Sequence, residues 1–150
     1  FLVFQRVRLV NTYQGLVIVY LTFAIPLLVW ILRPFFDAIP TDLEESAYVD
    51  GASLWQAFAR IVLPLASPGL AAMAVLSFIS AWLEFFFALI FTRGPMMTAP
   101  VAIVNFLTYT GWEWGKITSA GTLIMLPVIF FSLITHKYLI SGLTAGAVKS

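Results

Sequence analysis

Three stretches of this chain, residues 15–32, 68–91 and 117–135, are long and apolar enough to cross a bilayer, and the first and third carry no charge. The middle one holds a single ionisable side chain, Glu84. A helix rises about 1.5 Å per residue and the hydrocarbon core is about 30 Å thick, so about 20 apolar residues span it. Backbone polar groups in lipid need internal partners, which leaves helices or a closed barrel. A barrel would show ~10-residue segments of alternating polarity, a pattern absent from this sequence. The expected fold is therefore all-α, a polytopic transmembrane helical bundle with helices at about 15–33, 68–91 and 117–137.

Composition agrees. Hydrophobic residues make up 61% of the 150 and charged residues 10%, against about 45–50% and about 25% in soluble domains. Such a chain has too few polar groups to cover its surface in water. A net charge of +1 gives no electrostatic hold on phosphates, so no nucleic-acid partner is expected. With no Cys and one His, disulfides, thiolate chemistry and a histidine-rich metal site are excluded, and neither metal nor cofactor is expected. The phosphate-binding loop GxxxxGK[ST] is missing, and no Ser/His/Asp set can be assembled around the single His136. The chain is thus expected not to be an enzyme, and any nucleotide must be bound by another chain. It begins at Phe1 without a signal-peptide pattern and reads as the C-terminal part of a longer membrane protein.

Between the first two spans lies a polar, acidic segment, residues 41–64. Thr41-Asp42-Leu43-Glu44 after Pro40 has the spacing of a capping box, with the Thr41 hydroxyl as cap. Asp42, Glu44 and Glu45 place negative charge at the positive end of a helix dipole. That helix should stop near Val49 at Asp50-Gly51, where glycine accepts the left-handed conformation of a C-terminal cap. Ser53-Leu54-Trp55-Gln56 offers a second capping box, opening a helix to about Leu63. Pro64, lacking an amide hydrogen, should end it and turn the chain sharply into the membrane. Helix, glycine turn, helix invites a DNA-binding reading, but residues 33–67 hold five acids against Arg33 and Arg60, a net −3. A reader of phosphates needs the opposite sign. A plain connecting loop is the simpler alternative, against which stand two helix starts built around one glycine.

Other residues invite roles. Pro26 and Pro127 lie inside spans and should kink them, the freed carbonyls being repaired by neighbours. Small residues Gly69, Ala71, Ala72, Ala74, Ser77, Ser80 and Ala81 would let another helix approach closely. Trp112 and Trp114 around Glu113 fit an aromatic belt, with stacking on a sugar ring as the sharper alternative. The run 101–107 is too short to span and reads as an interfacial or re-entrant piece. His136-Lys137 fits an interfacial anchor. Glu84 and Trp82 are candidates for the substrate path, since intramembrane charges are costly and commonly functional; a structural, paired acid is the alternative for Glu84, and a proton relay lacks a second carboxylate. Basic residues do not orient the chain: Arg33, Arg60, Lys137 and Lys149 on one side balance Arg6, Arg8, Arg93 and Lys116 on the other.

The residues Glu45-Ser46-Ala47, Gly51, and Ile61-Val62-Leu63-Pro64 resemble the signature of permease subunits of binding-protein-dependent ABC importers: Glu-Ala-Ala, three residues, Gly, nine residues, Ile-x-Leu-Pro. Ser46 stands for the middle Ala, and Asp50-Gly51-Ala52-Ser53 matches the family's usual wording. Asn11-Thr12 with Gly15-Leu16, Pro26 to Trp30, Phe35-Phe36 with Ile39-Pro40, and the C-terminal stretch Gly142 to Lys149 are similar to the carbohydrate-importing branch, specifically its maltose/trehalose-type second permease subunit. That branch usually has Trp-Asn where this chain has Trp82-Leu83, and Gly where it has Ser150. The resemblance implies helices four to six of a six-helix permease, a cytoplasmic coupling loop and C-terminus, and a bacterial plasma (inner) membrane location. Implied partners are a paralogous permease subunit, an ATP-binding cassette ATPase dimer, an extracytoplasmic solute-binding protein, and a sugar, a di- or oligosaccharide, as substrate. The coupling residues it implies are Glu45, Ser46, Ala47, Asp50, Gly51, Ala52, Ile61, Leu63 and Pro64. Rival expectations are the same machine for a non-sugar solute, a proton-coupled secondary transporter, and a membrane-embedded enzyme.

Overall fold

The computed structural model describes residues 1–108 and 111–145, with side chains as far as residue 134. The stretch from Gly142 onward and the His136-Lys137 pair, both singled out above, therefore lie wholly or in their side chains outside the described residues. The elements are α1 (Leu2–Arg6), α2 (Tyr13–Asp37), α3 (Thr41–Val49), α4 (Leu54–Ala57), a π-helical turn (Phe58–Val62), α5 (Leu63–Trp82), α6 (Phe86–Phe91), α7 (Ala99–Ala102), β1 (Leu107–Thr108), β2 (Gly111–Trp112) and α8 (Trp114–Ala145). Among the described residues three helices reach bilayer length and hydropathy: Tyr13–Asp37, Leu54–Trp82 and Trp114–Ile134. The all-α transmembrane class is as expected; the boundaries differ.

The first difference is at the prolines. α2 continues through Pro26 and also Pro34 to Asp37, beyond the span read from hydropathy. The second is at residue 64. Leu54–Trp82 is continuous, so Pro64 does not end the helix. The missing Pro64 amide and its ring would leave and crowd the Arg60 carbonyl in an α-turn. The chain widens instead, the Leu63 amide donating to Phe58 O five residues back. The third is at residue 83. The apolar stretch 68–91 is not one helix: α5 stops at Trp82 and α6 begins at Phe86.

The chain forms two compact units. In the first (residues 1–25 and 77–133), Asn11 sits at φ 57°. Its amide donates to Phe91 O at 2.8 Å, and its Oδ1 accepts from the Arg93 amide at 2.7 Å. One left-handed asparagine thereby closes the C-terminal end of α6. Thr12 Oγ1 accepts from the Gly15 amide (3.1 Å) and donates to Leu9 O (2.8 Å), which starts α2. Gly15 has no room for a Cβ, which would overlap Leu9 O. The rings of Phe1 and Phe4 pack edge-on against Phe91, and Val101 and Thr92 are fully buried. The piece read as interfacial or re-entrant folds as α7, a 3₁₀ turn (Ile103–Phe106) and an antiparallel ladder pairing Leu107 with Trp112 and Thr108 with Gly111.

The second unit holds residues 26–76 and 134–150. Ala57, Val62, Ala66, Gly69, Ala72, Met73 and Val75 form the buried face of the helix running from α4 through α5. Of the small residues expected to permit close approach, Gly69 and Ala72 do so here; Ala74 is exposed.

Candidate functional site

The 41–64 segment folds as helix, glycine turn, helix. α3 starts one residue earlier than the capping-box reading: Pro40, extended at ψ 130°, is the cap, and its carbonyl accepts from the Leu43 amide at 3.2 Å. Thr41 is already helical, so its hydroxyl makes no cap bond and the first capping box does not form. Asp42 and Glu44 still lie in the first turn, favourable against the dipole.

The end of α3 is a complete Schellman motif. The Ala52 amide donates to Ala47 O at 2.9 Å and the Gly51 amide to Tyr48 O at 3.0 Å. Gly51 adopts φ 84°, where a side chain is strained whatever the space around it. Three positions of the signature, Ala47, Gly51 and Ala52, therefore have a local structural task. The second capping box is fully formed: the Ser53 amide donates to Gln56 Oε1 at 2.8 Å and Ser53 Oγ accepts from the Gln56 amide at 3.4 Å. Ser46 Oγ donates back to Asp42 O at 2.7 Å. Glu45 and Asp50 are exposed, and among the described residues no ion pair reaches either.

Beside its exposed polar residues the module also presents apolar ones outward. Val49 is 88% exposed, Trp55 76% and Leu54 67%, with Trp55 edge-on to Phe58 at 6.3 Å. Isolated exposed hydrophobes are ordinary; these three flank one fixed turn. Ile61, Leu63 and Pro64 fall in and just after the π turn, with Val62 buried between them. The signature thus spans two functions in structure: a fixed turn and an irregular helix start.

Trp82 and Glu84 flank the break between α5 and α6. The Trp82 indole N–H donates to Ile124 O of α8 at 3.0 Å, in the turn crowded by the Pro127 ring. Its ring stacks on Phe78 at 5.8 Å. The two Glu84 carboxylate oxygens accept from the amides of Phe87 (2.8 Å) and Ala88 (2.9 Å), capping α6. Both polar groups are engaged inside the protein, which favours the structural-acid alternative for Glu84. The Tyr20 hydroxyl, which sequence reading passed over, is buried beside the Glu84 carboxylate without a well-directed hydrogen bond. A single tyrosine in an apolar stretch gives no signal until the partner helix is known. Trp112 and Trp114 are 60% and 62% exposed with rings 4.9 Å apart, and Glu113 pairs with Lys116 at 2.8 Å.

Bilayer-length apolar helices joined by a capped helix–glycine–helix module define a multi-pass integral membrane protein. The chain belongs to the family of binding-protein-dependent transport system inner membrane components, whose pattern matches residues 2–144. It is 43% identical over 148 residues to the trehalose transport system permease protein SugB of Mycobacterium tuberculosis, covering 97% of this chain and 54% of that protein. It is 42% identical over 147 residues to the trehalose/maltose transport system permease protein MalG of Thermococcus litoralis (97% and 53%). It is 35% identical over 150 residues to the diacetylchitobiose uptake system permease protein DasC of Streptomyces coelicolor (99% and 54%). The chain spans about half the length of these relatives.

Proposed function

We propose that this chain is the C-terminal part of the membrane-spanning permease subunit of an ATP-driven importer for a di- or oligosaccharide. Residues 41–64 face the cytoplasm and dock on an ATP-binding cassette ATPase, which carries out the hydrolysis. A paralogous permease completes the path and an extracytoplasmic binding protein delivers the sugar. The observation that carries this reading is the 41–64 module, whose capped turn holds Val49, Leu54 and Trp55 out of their own fold.

The mechanism follows from the geometry. A partner that closes on ATP can move the permease only if its contact differs between open and closed states. A turn fixed by the Ala52–Ala47 and Gly51–Tyr48 bonds passes that displacement on rather than absorbing it. From Ser53 onward the backbone is one helix to Trp82, so a push at the turn enters the membrane along α5. The sugar branch is supported by relatives named for trehalose, maltose and diacetylchitobiose.

Gly51→Asp and Glu45→Lys, made in the full-length protein in its assembled transporter, are expected to leave the complex in the membrane, abolish sugar uptake and remove sugar stimulation of ATP hydrolysis. Unimpaired uptake by both variants would refute the assignment.

A further inference from the structure

We propose that the break between α5 and α6 is a hydroxyl-binding subsite on the solute path, in which backbone carbonyls rather than the Trp82 and Glu84 side chains make the contact; the proposal rests on the transport reading above. The Leu83 amide donates to Ile79 O. Beyond it, among the described residues, no backbone amide donates to the carbonyls of Ser80, Ala81 or Trp82. These three acceptors lie within an apolar stretch of a membrane helix, where unsatisfied carbonyls are not tolerated against hydrocarbon. Irregular backbone at that depth occurs where it is covered by protein or lines a hydrated cavity. Ser80 and Ala81 are exposed, as is Leu83 at 49%.

The chemistry of the break selects its occupant. Glu84, whose two carboxylate oxygens are taken up by the Phe87 and Ala88 amides, adds negative charge beside these carbonyls without itself contacting the solute. The buried Tyr20 hydroxyl stands beside it. The set is rich in acceptors, with one hydroxyl able to donate. Arg93, the next cationic residue along the chain, already donates to Leu89 O and Thr92 O. Acceptors of this kind match a neutral solute that donates many O–H bonds, and they repel phosphate or carboxylate. A neutral sugar fits; a sugar phosphate does not.

These 150 residues contain no cysteine, and with any cysteine elsewhere in the full-length protein or its partner subunits first replaced by serine, a direct test is open. Ser80→Cys, Leu83→Cys and, as an apolar reference on α8, Leu123→Cys are made singly in the full-length protein, assembled with its partner subunits in liposomes. Labelling by a small hydrophilic methanethiosulfonate is then timed with trehalose, maltose and their 6-phosphates. Ser80→Cys and Leu83→Cys are expected to react at least about tenfold faster than Leu123→Cys, as water-lined positions do. A neutral disaccharide at about ten times its Kd should slow them about tenfold, while its phosphate leaves the rate unchanged. Labelling as slow as at Leu123→Cys, which would place the break against a partner helix, overturns the proposal. So does fast labelling that neither sugar slows, or equal protection by the phosphates. Sugar-stimulated ATP hydrolysis by the unsubstituted complex, measured alongside, tests the transport reading separately.

Discussion

Gly69 of α5 lies beneath the ring of Phe35 near the end of α2: a Cβ built on Gly69 would stand 2.6 Å from two ring carbons. Gly69→Ala should therefore overpack this site and cost about 1–3 kcal/mol. Phe35→Ala, which opens the space, should recover part of that loss in the double variant. Thermal unfolding of the purified complex checks this, and additive effects of the two changes would disprove the contact.

The turn at Gly51 makes a separate prediction. An added Cβ there meets open space among the described residues, so only backbone strain opposes substitution. Gly51→Asn, tolerated in left-handed geometry, should cost little, and Gly51→Val about 1–2 kcal/mol. Hydrogen exchange at the Ala52 amide should accelerate about tenfold in the valine variant and far less in the asparagine variant. Equal exchange in both would show that the turn is held by something other than its own conformation.

Ser53→Ala removes the acceptor of the Gln56 amide and half of a reciprocal cap. The expected loss is about 1 kcal/mol, local to the start of α4. Exchange at the Gln56 amide should rise while that at Ala52 stays as it was. A simultaneous rise at both would mean that turn and cap melt as one unit.

Glu84 and Trp82 are predicted to act on stability rather than on sugar recognition. Glu84→Ala strands the Phe87 and Ala88 amides, at about 1–3 kcal/mol each, whereas Glu84→Gln keeps one acceptor and should lose about half as much. The pH profile of uptake should be the same for Glu84→Gln as for the natural protein; a shifted profile would assign the acid to proton transfer. Trp82→Phe should lower stability by about 0.5–1.5 kcal/mol through the lost Ile124 bond and leave sugar affinity unaltered. A large fall in affinity would return the indole to the solute path.

Hydropathy, with the absence of alternating polarity, determined that this chain is helical and membrane-spanning, because only helices and closed barrels satisfy the backbone in lipid. The glycine turn and the Ser53–Gln56 cap were equally legible, since both depend on residues within six positions of one another. Prolines misled. Pro64 was read as a helix end, yet a π turn absorbs it and the helix runs on, and α2 continues through Pro34 past the end that hydropathy gave it. The break at residues 83–85 was invisible because nothing in an apolar run marks where its carbonyls go unpaired. Only the tertiary structure brought Tyr20 to Glu84, Trp82 to Ile124 and Asn11 to Arg93. Local hydrogen bonds can be read from spacing, whereas bonds between distant segments exist only once several helices have fixed one another's positions.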